Sequence, residues 1–488
     1  MREEQTGTPP VRKAYDPDKL QALLQYIGRL LPNDQERAAF YQCSHTPPPA
    51  SLRLNALQAQ AQHVRPSLHQ RGQNVPWCSE GFTLESDTSL GQTIEHAMGA
   101  YYVQAKAPML AVEVLAPQPG ERVLDLCAAP GGKATQIAAR MQNSGLLVAN
   151  EPQRKRMPAL VGNLERCGVA NHVLTQAPGT MLTRYFPNFF DRILVDAPCS
   201  GDGIVRKDQN MLTYWSPQDA QHLAQQQKGL LRAAYQMLRP GGTLVYSTCS
   251  LSLEENEEVL LGLLRRYKED VAILPIAEFE GPPLPDALAA QFPAEFARCV
   301  RVWPHHHDTE GAFVARLSKR SPTPSLGDAP LWDTATTEPT AAEARRAIKD
   351  RWSGTLPCPS DQIFTLSKRH LCRQPALGPA IQEHLPYFVR GGMKVARLHK
   401  GYHYLSQQTV ALWGHLMQGP SVELNWPQLQ DLFEGRPLYC DPPTGLKGEI
   451  FCRFGPWTVC RAIAKEEGRR IEGMLPRALF RAQLTSLM

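Results

Sequence analysis

The chain has 488 residues and a mass of 54.3 kDa, with 42% hydrophobic and 20% charged residues. This length predicts about three domains, and the composition excludes a disordered protein. No apolar run reaches the ~18 residues of a membrane span, so we expect no contact with a membrane. The formal net charge is +5, and residues 341–488 carry 20 of the 52 basic but only 12 of the 47 acidic residues. This excess indicates either a polyanionic partner or a solubilising surface.

The first thirteen residues and the cysteines both favour a cytosolic setting. No apolar stretch follows the charges of residues 1–13, so we expect no secretory signal and a cytoplasmic protein. The 12 cysteines, from Cys43 to Cys460, never have C-x-x-C spacing. A zinc ribbon or a redox dithiol is therefore disfavoured, and most of the thiols should be buried apolar fillers.

The first part of the chain predicts a small α+β region. Residues 15–45 have helical apolar spacing with a break near Pro32, and residues 51–57 and 81–86 alternate like strands. We place this region at residues 1–95.

Between residues 96 and 320, short β-rich runs alternate with helical stretches. The runs are VLDLC, LLVAN, HVLTQ, RILVDAPC and TLVYSTCS. Alternation of this kind predicts an α/β domain whose mostly parallel sheet is covered by helices on both faces.

Residues 321–343 are rich in Pro, Ser, Thr and Ala and predict a linker. We expect a small α+β domain at residues 344–405 and a further domain at 406–488. Their basic segments, GGMKVARLHKGYHYL and RAIAKEEGRRIEGMLPRALFRAQL, fit RNA docking through phosphates.

A small-residue loop between a strand and a helix predicts a nucleoside site. In residues 121–140, Gly131 and Gly132 allow close approach of a ligand, and the helix that begins near Lys133 points free N–H groups into the same space. Glu151, at the end of the next strand, is placed to accept two ribose hydroxyls. The loop lacks the G-K-[ST] of a polyphosphate site, and a purely structural turn is the alternative.

Two cysteines follow two predicted strands. Asp196 and Cys199 end the run FDRILVDAPCSGDG, and Cys249 ends GGTLVYSTCS. Because the carboxyl ends of parallel strands line one crevice, these residues should converge with the Gly131–Gly132 loop. A thiol near a Lys or a helix N-terminus can ionise and act as a nucleophile, and two such thiols favour this over buried packing.

These motifs resemble the NOL1/NOP2/Sun family of RNA cytosine-C5 methyltransferases. The matching blocks span about 270 residues and lie at 51–57, 101–104, 119–136, 150–168, 191–207, 246–259 and 311–319. The resemblance implies a Rossmann-like methyltransferase sheet, a small N-terminal α+β RNA-binding subdomain and a C-terminal, PUA-like RNA-binding region.

The resemblance also implies roles for individual residues. S-adenosylmethionine would be held by Glu151, by Asp196 and by the loop residues Cys127, Ala128, Ala129, Pro130, Gly131, Gly132 and Lys133. Cys249 would be the nucleophile, Asp196 would sit between cofactor and base, and Cys199 would assist release. The implied partner is 16S ribosomal RNA or the small ribosomal subunit, bound by a monomer, with no metal.

Three positions depart from the family pattern. Pro178 stands where an Asp usually meets the adenine side of the cofactor, Ala105 replaces an acidic residue, and Ala312-Phe313 replaces paired aromatics. None of these touches the cysteines, so we expect weaker cofactor binding and intact chemistry.

The chemistry explains why two thiols are needed. Addition of the Cys249 thiolate at C6 makes the electron-poor C5 of cytosine nucleophilic. A partly protonated Asp196 would drain charge at N3, and Cys199 would help remove the C5 proton. The base must first leave its stack.

Alternative functions remain open from the sequence. They are methylation of transfer RNA, methylation of an exocyclic amine or a protein side chain, and a non-catalytic RNA-binding role in ribosome assembly. An exocyclic-amine enzyme commonly carries [DN]-P-P-[YF], where this chain has Asp-Ala-Pro-Cys at 196–199.

Three charged runs have simpler interpretations. We expect a loop surface for His305–His307 and a solvated helix N-terminus for residues 254–258. Arg154, Lys155 and Arg156 are either phosphate contacts or exposed helix charge.

Overall fold

The computed structural model describes residues 17–84, 89–213, 215–276, 279, 284–324, 332–336, 338–354, 356–400, 402–441, 443–480 and 484–488. The first thirteen residues, on which the prediction of no secretory signal rests, lie outside these. No helix among the described residues combines the length and the apolar character that crossing a bilayer requires.

The N-terminal region begins with two helices, as predicted. Helix α1 (Pro17–Gly28) buries one apolar stripe, and α2 (Asp34–Ser44) begins after Asn33, whose side chain accepts a hydrogen bond from the Glu36 N–H. The following elements are β1 (Ser51–Leu54), α3 (Arg65–Arg71), β2 (Gly72–Val75), β3 (Cys78–Leu84), α4 (Ile94–Ala97) and β4 (Tyr101–Val103).

The four strands form one sheet in the order β2-β3-β1-β4, in which every pairing is antiparallel. Since β4 pairs with β1, this sheet reaches Val103. The sheet therefore runs past residue 95, and the predicted domain boundary at that residue stays a prediction.

The central region alternates strands and helices. Its elements are α5 (Lys106–Leu115), β5 (Arg122–Asp125), α6 (Gly132–Arg140), β6 (Leu146–Asn150), α7 (Met157–Arg166), β7 (His172–Thr175), β8 (Phe190–Asp196), α8 (Pro217–Met237), β9 (Leu238–Thr248), α9 (Glu257–Tyr267), β10 (Val271–Leu274), α10 (Asp286–Ala289), β11 (Val300–Val302), α11 (Pro304–His307) and β12 (Ala312–Lys319).

Strands β5 to β9 are parallel, in the order β9-β8-β5-β6-β7, and β12 is inserted antiparallel between β9 and β10. The runs in β6 and β7 are buried throughout, as expected when helices cover both faces. The predicted Rossmann-like fold is confirmed. Strand order reverses beside β5, which places the crevice at the carboxyl ends of β5 and β8.

The C-terminal region adds two more sheets. Its elements are α12 (Pro339–Trp352), β13 (Gln362–Ser367), β14 (His370–Pro375), α13 (Gly378–His384), β15 (Phe388–Gly391), β16 (Met393–His399), β17 (Tyr402–Leu405), α14 (Gln407–Trp413), β18 (Ser421–Glu423), α15 (Trp426–Phe433), β19 (Leu438–Tyr439), β20 (Gly448–Phe454), β21 (Trp457–Lys465) and β22 (Arg470–Gly473). The sheet orders are β13-β14-β16-β17 and β18-β20-β21-β22-β19. The PUA-like character of the last sheet stays a prediction.

The predicted linker is not a simple spacer. Helix α12 begins at Pro339, inside the segment predicted to run to residue 343, and the Trp332 ring stacks on Phe186 at 5.1 Å. Strand β15 pairs with β7, so a piece of the region 344–405 completes the central sheet. The sequence pattern did not predict that the chain returns to the central sheet after residue 344.

The N-terminal and C-terminal regions share one apolar core. Phe82 and Ile94 belong to the same buried cluster as Leu429, Ile450 and Trp457. Residues far apart in the sequence therefore stabilise each other.

Candidate active site

The loop after β5 is compressed against the N-terminal sheet. Gly131 has φ of +113°, in the left-handed region that favours glycine, and a Cβ at Gly132 would lie 3.2 Å from the Tyr102 ring. Strand β4 thus forms one wall of the predicted cofactor loop, which accounts for the matching block at 101–104.

Arg53, in β1, stabilises this loop through hydrogen bonds. It is buried, and its guanidinium donates to the Thr135 hydroxyl at 2.9 Å and to Gln104 Oε1 at 3.1 Å. The same side chain donates to the Gly132 carbonyl. The strand-like block at 51–57 therefore supports the start of α6.

Asn150, which the sequence reasoning missed, connects two loops at the crevice. Its amide donates to the carbonyls of Leu126 and Ala177, and its oxygen accepts from Thr175 and from the Ala177 N–H. All its polar groups are used within the protein, so Asn150 positions the loops after β5 and β7.

Glu151 is buried beside the loop, as its predicted role requires. One carboxylate oxygen accepts from the Gln153 N–H at 2.8 Å, and the other lies 3.1 Å from Arg156 Nη1. Arg156 also donates to the Ala129 carbonyl. All three basic residues 154–156 are exposed, but Arg156 is tied to the site by these contacts.

Asp125, at the end of β5, is a second residue that sequence reasoning missed. It is fully buried, and neither carboxylate oxygen makes a well-formed hydrogen bond to any described residue. Burial, and then the charge of Asp196, raises the pKa of Asp125 to about 7. Its position directly before the loop was the available signal.

These features suit a positively charged nucleoside. The loop offers a cradle without Cβ atoms at Gly131 and Gly132. Both oxygens of Asp125 lack a well-formed hydrogen bond to the described residues, and so does Oε2 of Glu151, whose contact is the ion pair with Arg156. The residues present therefore fit S-adenosylmethionine.

The two predicted thiols meet at the ends of β8 and β9. The Sγ atoms of Cys199 and Cys249 are 2.8 Å apart, and the Cys249 N–H donates to Cys199 Sγ at 3.3 Å. Both residues are half-buried. The contact with Cys249, and then burial, raises the pKa of the Cys199 thiol well above its usual value.

Asp196 faces the loop across the crevice. Its carboxylate accepts from Lys133 Nζ at 2.7 Å and from the Ser247 hydroxyl at 3.0 Å. The Asp196 carboxylate thus connects the loop to β9, and the partial protonation expected of it stays a prediction.

Lys133 contributes a cation to this site. Burial opposes its charge, but Asp196, Asp125 and Cys249 more than compensate, and the pKa of the ammonium is raised. Lys133, Asp196, Cys199 and Cys249 are therefore brought together, as the strand-end argument predicted.

The three departures from the family pattern have different structural outcomes. Pro178 precedes a 3-10 helix (Gly179–Arg184) and supplies no N–H. Ala105 provides no side-chain cap for α5, but the Thr309 hydroxyl accepts from the Ala107 N–H at 3.3 Å. Ala312 and Phe313 are buried in β12.

Two of the simpler interpretations were wrong. Glu255, Asn256 and Glu257 are buried and hydrogen-bonded, so residues 254–258 are not a solvated helix end. His305–His307 lie in α11 rather than in a surface loop.

Two of these histidines contact the N-terminal region. The Nε2 atoms of His305 and His306 lie 2.9 Å and 2.7 Å from Glu36 Oε2, and the three side chains are close enough to surround an ion. These lengths are those of hydrogen bonds, and we interpret the contact as a link between α2 and α11.

Side chains of β16 and β17, in and beside the basic segment LHKGYHYLS, share one face of a sheet. Arg397 lies opposite His370 on one neighbouring strand and opposite Tyr404 on the other, and His399 lies opposite Tyr402. Arg397 and Tyr402 are exposed. Cationic and aromatic side chains on one exposed face are typical of RNA-binding surfaces.

Comparisons with known proteins agree with this geometry. The sequence profile of the 16S rRNA methyltransferase RsmB/F family matches residues 112–318, and that of the N-terminal domain of 16S rRNA methyltransferase RsmF matches residues 21–106. The chain is 36% identical over 481 residues to Ribosomal RNA small subunit methyltransferase F of Salmonella heidelberg (strain SL476), covering 96% of this chain and 97% of the relative. The protein of that name from Salmonella typhi gives the same values.

Solved structures resemble somewhat less than two thirds of the chain. A methyltransferase homolog protein from Pyrococcus horikoshii is 32% identical, with a TM-score of 0.54, over 62% of this chain and 98% of that chain. NSun6 from Pyrococcus horikoshii is 22% identical, with a TM-score of 0.53, over 61% and 98%, and shares the fold.

Proposed function

The chain belongs to the RsmB/F family of 16S rRNA methyltransferases, as its NOL1/NOP2/Sun motifs predicted, and from this premise we propose which reaction its site performs. It transfers the methyl group of S-adenosylmethionine to C5 of a cytosine in 16S ribosomal RNA. The observation that carries the proposal is the pair of thiols, 2.8 Å apart, beside the Lys133–Asp196 ion pair.

S-adenosylmethionine, when bound, supplies an electrophilic methyl group. The loop 127–133 and Glu151 would hold it, with Glu151 accepting from the ribose hydroxyls. Asp125 places a carboxylate beneath the same loop. The backbone N–H groups at the start of α6 are further donors that would face the cofactor.

Cys249 is the nucleophile in this proposal. Its sulfur bonds to C6 of the flipped cytosine, the C5–C6 double bond opens, and C5 becomes nucleophilic enough to take the methyl group. Cys199 releases its own proton to solvent, and its thiolate then accepts the C5 proton while the C5–C6 double bond re-forms and the S–C6 bond breaks, its electron pair returning to Cys249. The raised pKa of Cys199 makes its thiolate a stronger base for this proton.

Lys133 and Asp196 form a charge pair beside the reacting ring. Asp196 keeps the ammonium in place, and Lys133 stabilises negative charge that develops on the ring and on sulfur. The hydrogen-bond donor to the base is then Lys133 rather than a protonated Asp196.

The C-terminal basic face positions the RNA without specifying its sequence. Arg397 would contact phosphate, and Tyr402 and Tyr404 would stack on bases. We further propose that the protein acts in the cytoplasm, as a monomer, on the small ribosomal subunit or its RNA.

The test is bisulfite sequencing of ribosomal and transfer RNA from a deletion strain, complemented with wild type, Cys249→Ser or Cys199→Ala. We expect one or more 16S cytosines to lose methylation and to regain it only with wild type. Purified Cys199→Ala should accumulate a denaturation-resistant RNA complex, and Cys249→Ser should form none.

Other outcomes contradict parts of the proposal. Loss confined to transfer RNA would change the substrate, and unchanged methylation would favour a non-catalytic assembly factor. Retained methylation by Cys249→Ser would exclude the covalent mechanism.

A further inference from the structure

Two buried carboxyl groups lie behind the catalytic thiols, and the proposed chemistry does not use them. Asp202 follows Cys199 by three residues and Glu255 follows Cys249 by six. Asp202 is 1% exposed and Glu255 is fully buried. Buried carboxyl groups are costly unless their hydrogen bonds are satisfied, so their partners indicate their role.

Asp202 reaches from the loop of Cys199 to the loop of Cys249. One of its oxygens accepts from the Leu251 N–H at 2.5 Å and the other from the Ser250 hydroxyl at 2.8 Å. Both partners directly follow Cys249. Asp202 thus fixes the chain on the carboxyl side of the nucleophile.

Glu255 reaches in the opposite direction. Its carboxylate accepts from the Ser200 N–H at 2.9 Å and from the Ser200 hydroxyl at 2.5 Å. Gln227 donates to Glu255 Oε1 and to the Pro198 carbonyl, both at 2.8 Å. The chain is therefore fixed on both sides of Cys199.

The two loops also touch directly. The Gly203 N–H donates to the Cys249 carbonyl at 3.0 Å, and a Cβ at Gly203 would lie only 2.6 Å from that oxygen. This close contact restricts the movement of one loop relative to the other. The two carboxylates restrict it further.

We propose that Asp202 and Glu255 form a reciprocal clasp that positions the two thiols, Asp202 acting on Cys249 and Glu255 acting on Cys199. The clasp deepens the function proposed above and rests on it. Because each carboxylate fixes the loop of the other motif, loss of one should impair one chemical step more than the other.

The expected effects separate the two steps. Glu255→Ala should slow release, so that the RNA adduct accumulates while its formation stays close to wild type. Asp202→Ala should slow formation of the adduct. A displacement of about 1 Å can cost about 10²-fold in rate, and we expect losses of that order.

Conservative variants distinguish positioning from folding. Glu255→Gln and Asp202→Asn keep an oxygen for the main-chain N–H and should recover most of the rate. Ser200→Ala and Ser250→Ala remove the hydroxyl bonds but keep the main-chain N–H bonds to the carboxylates, so they should act in the same direction as Glu255→Ala and Asp202→Ala, but more weakly. The two serine variants also keep the proposal testable if Glu255→Ala or Asp202→Ala does not fold.

The matched control is Asp191→Ala, at the opposite end of β8. Asp191 is largely buried and accepts from the Arg122 N–H at 2.6 Å. Its loss should lower stability and leave the balance between adduct formation and release unchanged. Equal effects of Glu255→Ala and Asp202→Ala on both steps, or no effect on either, would overturn the clasp.

A second measurement needs no RNA. Diamide oxidises two neighbouring thiols to a disulfide and is itself reduced to the hydrazine. We expect a Cys199–Cys249 disulfide in wild type, detected by peptide mass spectrometry, to form about 10²-fold more slowly in Glu255→Ala and Asp202→Ala. If wild type makes no 5-methylcytosine but this difference persists, the function is wrong and the clasp stands. Equal oxidation rates would refute the clasp alone.

Discussion

The buried carboxylate of Asp125 lowers the stability of the folded protein, and a bound cation would offset that cost. The carboxyl is fully buried at the end of β5, beneath the predicted cofactor loop. Lys133 offsets only part of this cost, and a positively charged nucleoside would add to the compensation. A residue such as Asp125 lowers the stability of the empty enzyme and raises its affinity for the cofactor.

Asp125→Asn should therefore stabilise the empty protein at neutral pH. Burial raises the pKa from 3.8 to about 7, so the folded state binds an extra proton between these values and wild type loses stability as pH rises through this window. The variant lacks that loss and should be more stable by about 1 kcal/mol or more at pH 7.5.

The measurement is urea unfolding of both proteins at pH 5 and pH 7.5. At pH 5 only part of this loss has occurred, so the stability difference between the two proteins should be smaller than at pH 7.5. A difference that does not change with pH would mean that Asp125 ionises without cost.

The residues to which we assign the chemistry could be predicted from the sequence, and those that position them could not. Cys199, Cys249 and Asp196 directly follow apolar runs, and strand ends in a parallel sheet share one crevice. Asn150, Asp202 and Glu255 act through loops whose meeting depends on the three-dimensional path of the chain. Glu255 in particular lies in an acidic run of the kind that usually faces solvent.

At the scale of the elements, the start of α5 depends on a residue two hundred positions away. Ala105 cannot cap the helix, and the Thr309 hydroxyl accepts from the Ala107 N–H instead. Sequence inspection detects the missing acidic residue at 105 but cannot identify the replacement, because Thr309 is placed by the approach to β12.

Thr309→Val should destabilise the protein by about 1–2 kcal/mol, because it leaves a buried N–H without an acceptor. Thr309→Ser keeps the hydroxyl and serves as the control. Chemical unfolding of both variants measures the difference, and a Val variant as stable as Ser would show that the cap contributes nothing.

At the scale of the whole molecule, Glu95 joins the two regions that share a core. It is fully buried, and its Oε1 accepts from the Ser486 hydroxyl, from the Leu487 N–H at 3.0 Å and from the Met488 N–H at 3.3 Å. Sequence patterns predicted separate N-terminal and C-terminal domains, since apolar periodicity reveals that a face is buried but not which distant face covers it.

Glu95→Ala should lower the free energy of unfolding by about 2–3 kcal/mol and expose residues 486–488 to exchange. Glu95→Gln keeps the accepting oxygen and should remain close to wild type. Hydrogen exchange of the Leu487 and Met488 amides is the direct measurement. Unchanged protection in the Ala variant would mean that packing alone holds this segment.

The pairing of β15 with β7 has a consequence for shortened forms of the protein. A fragment that stopped after β12 would leave the outer rim of β7 with unused hydrogen-bonding groups and would uncover apolar side chains such as Phe82. Unpaired strand edges of this kind pair with other chains and lead to aggregation. The C-terminal third thus keeps the catalytic half dispersed, and trimming it away would yield aggregates before it revealed anything about RNA affinity.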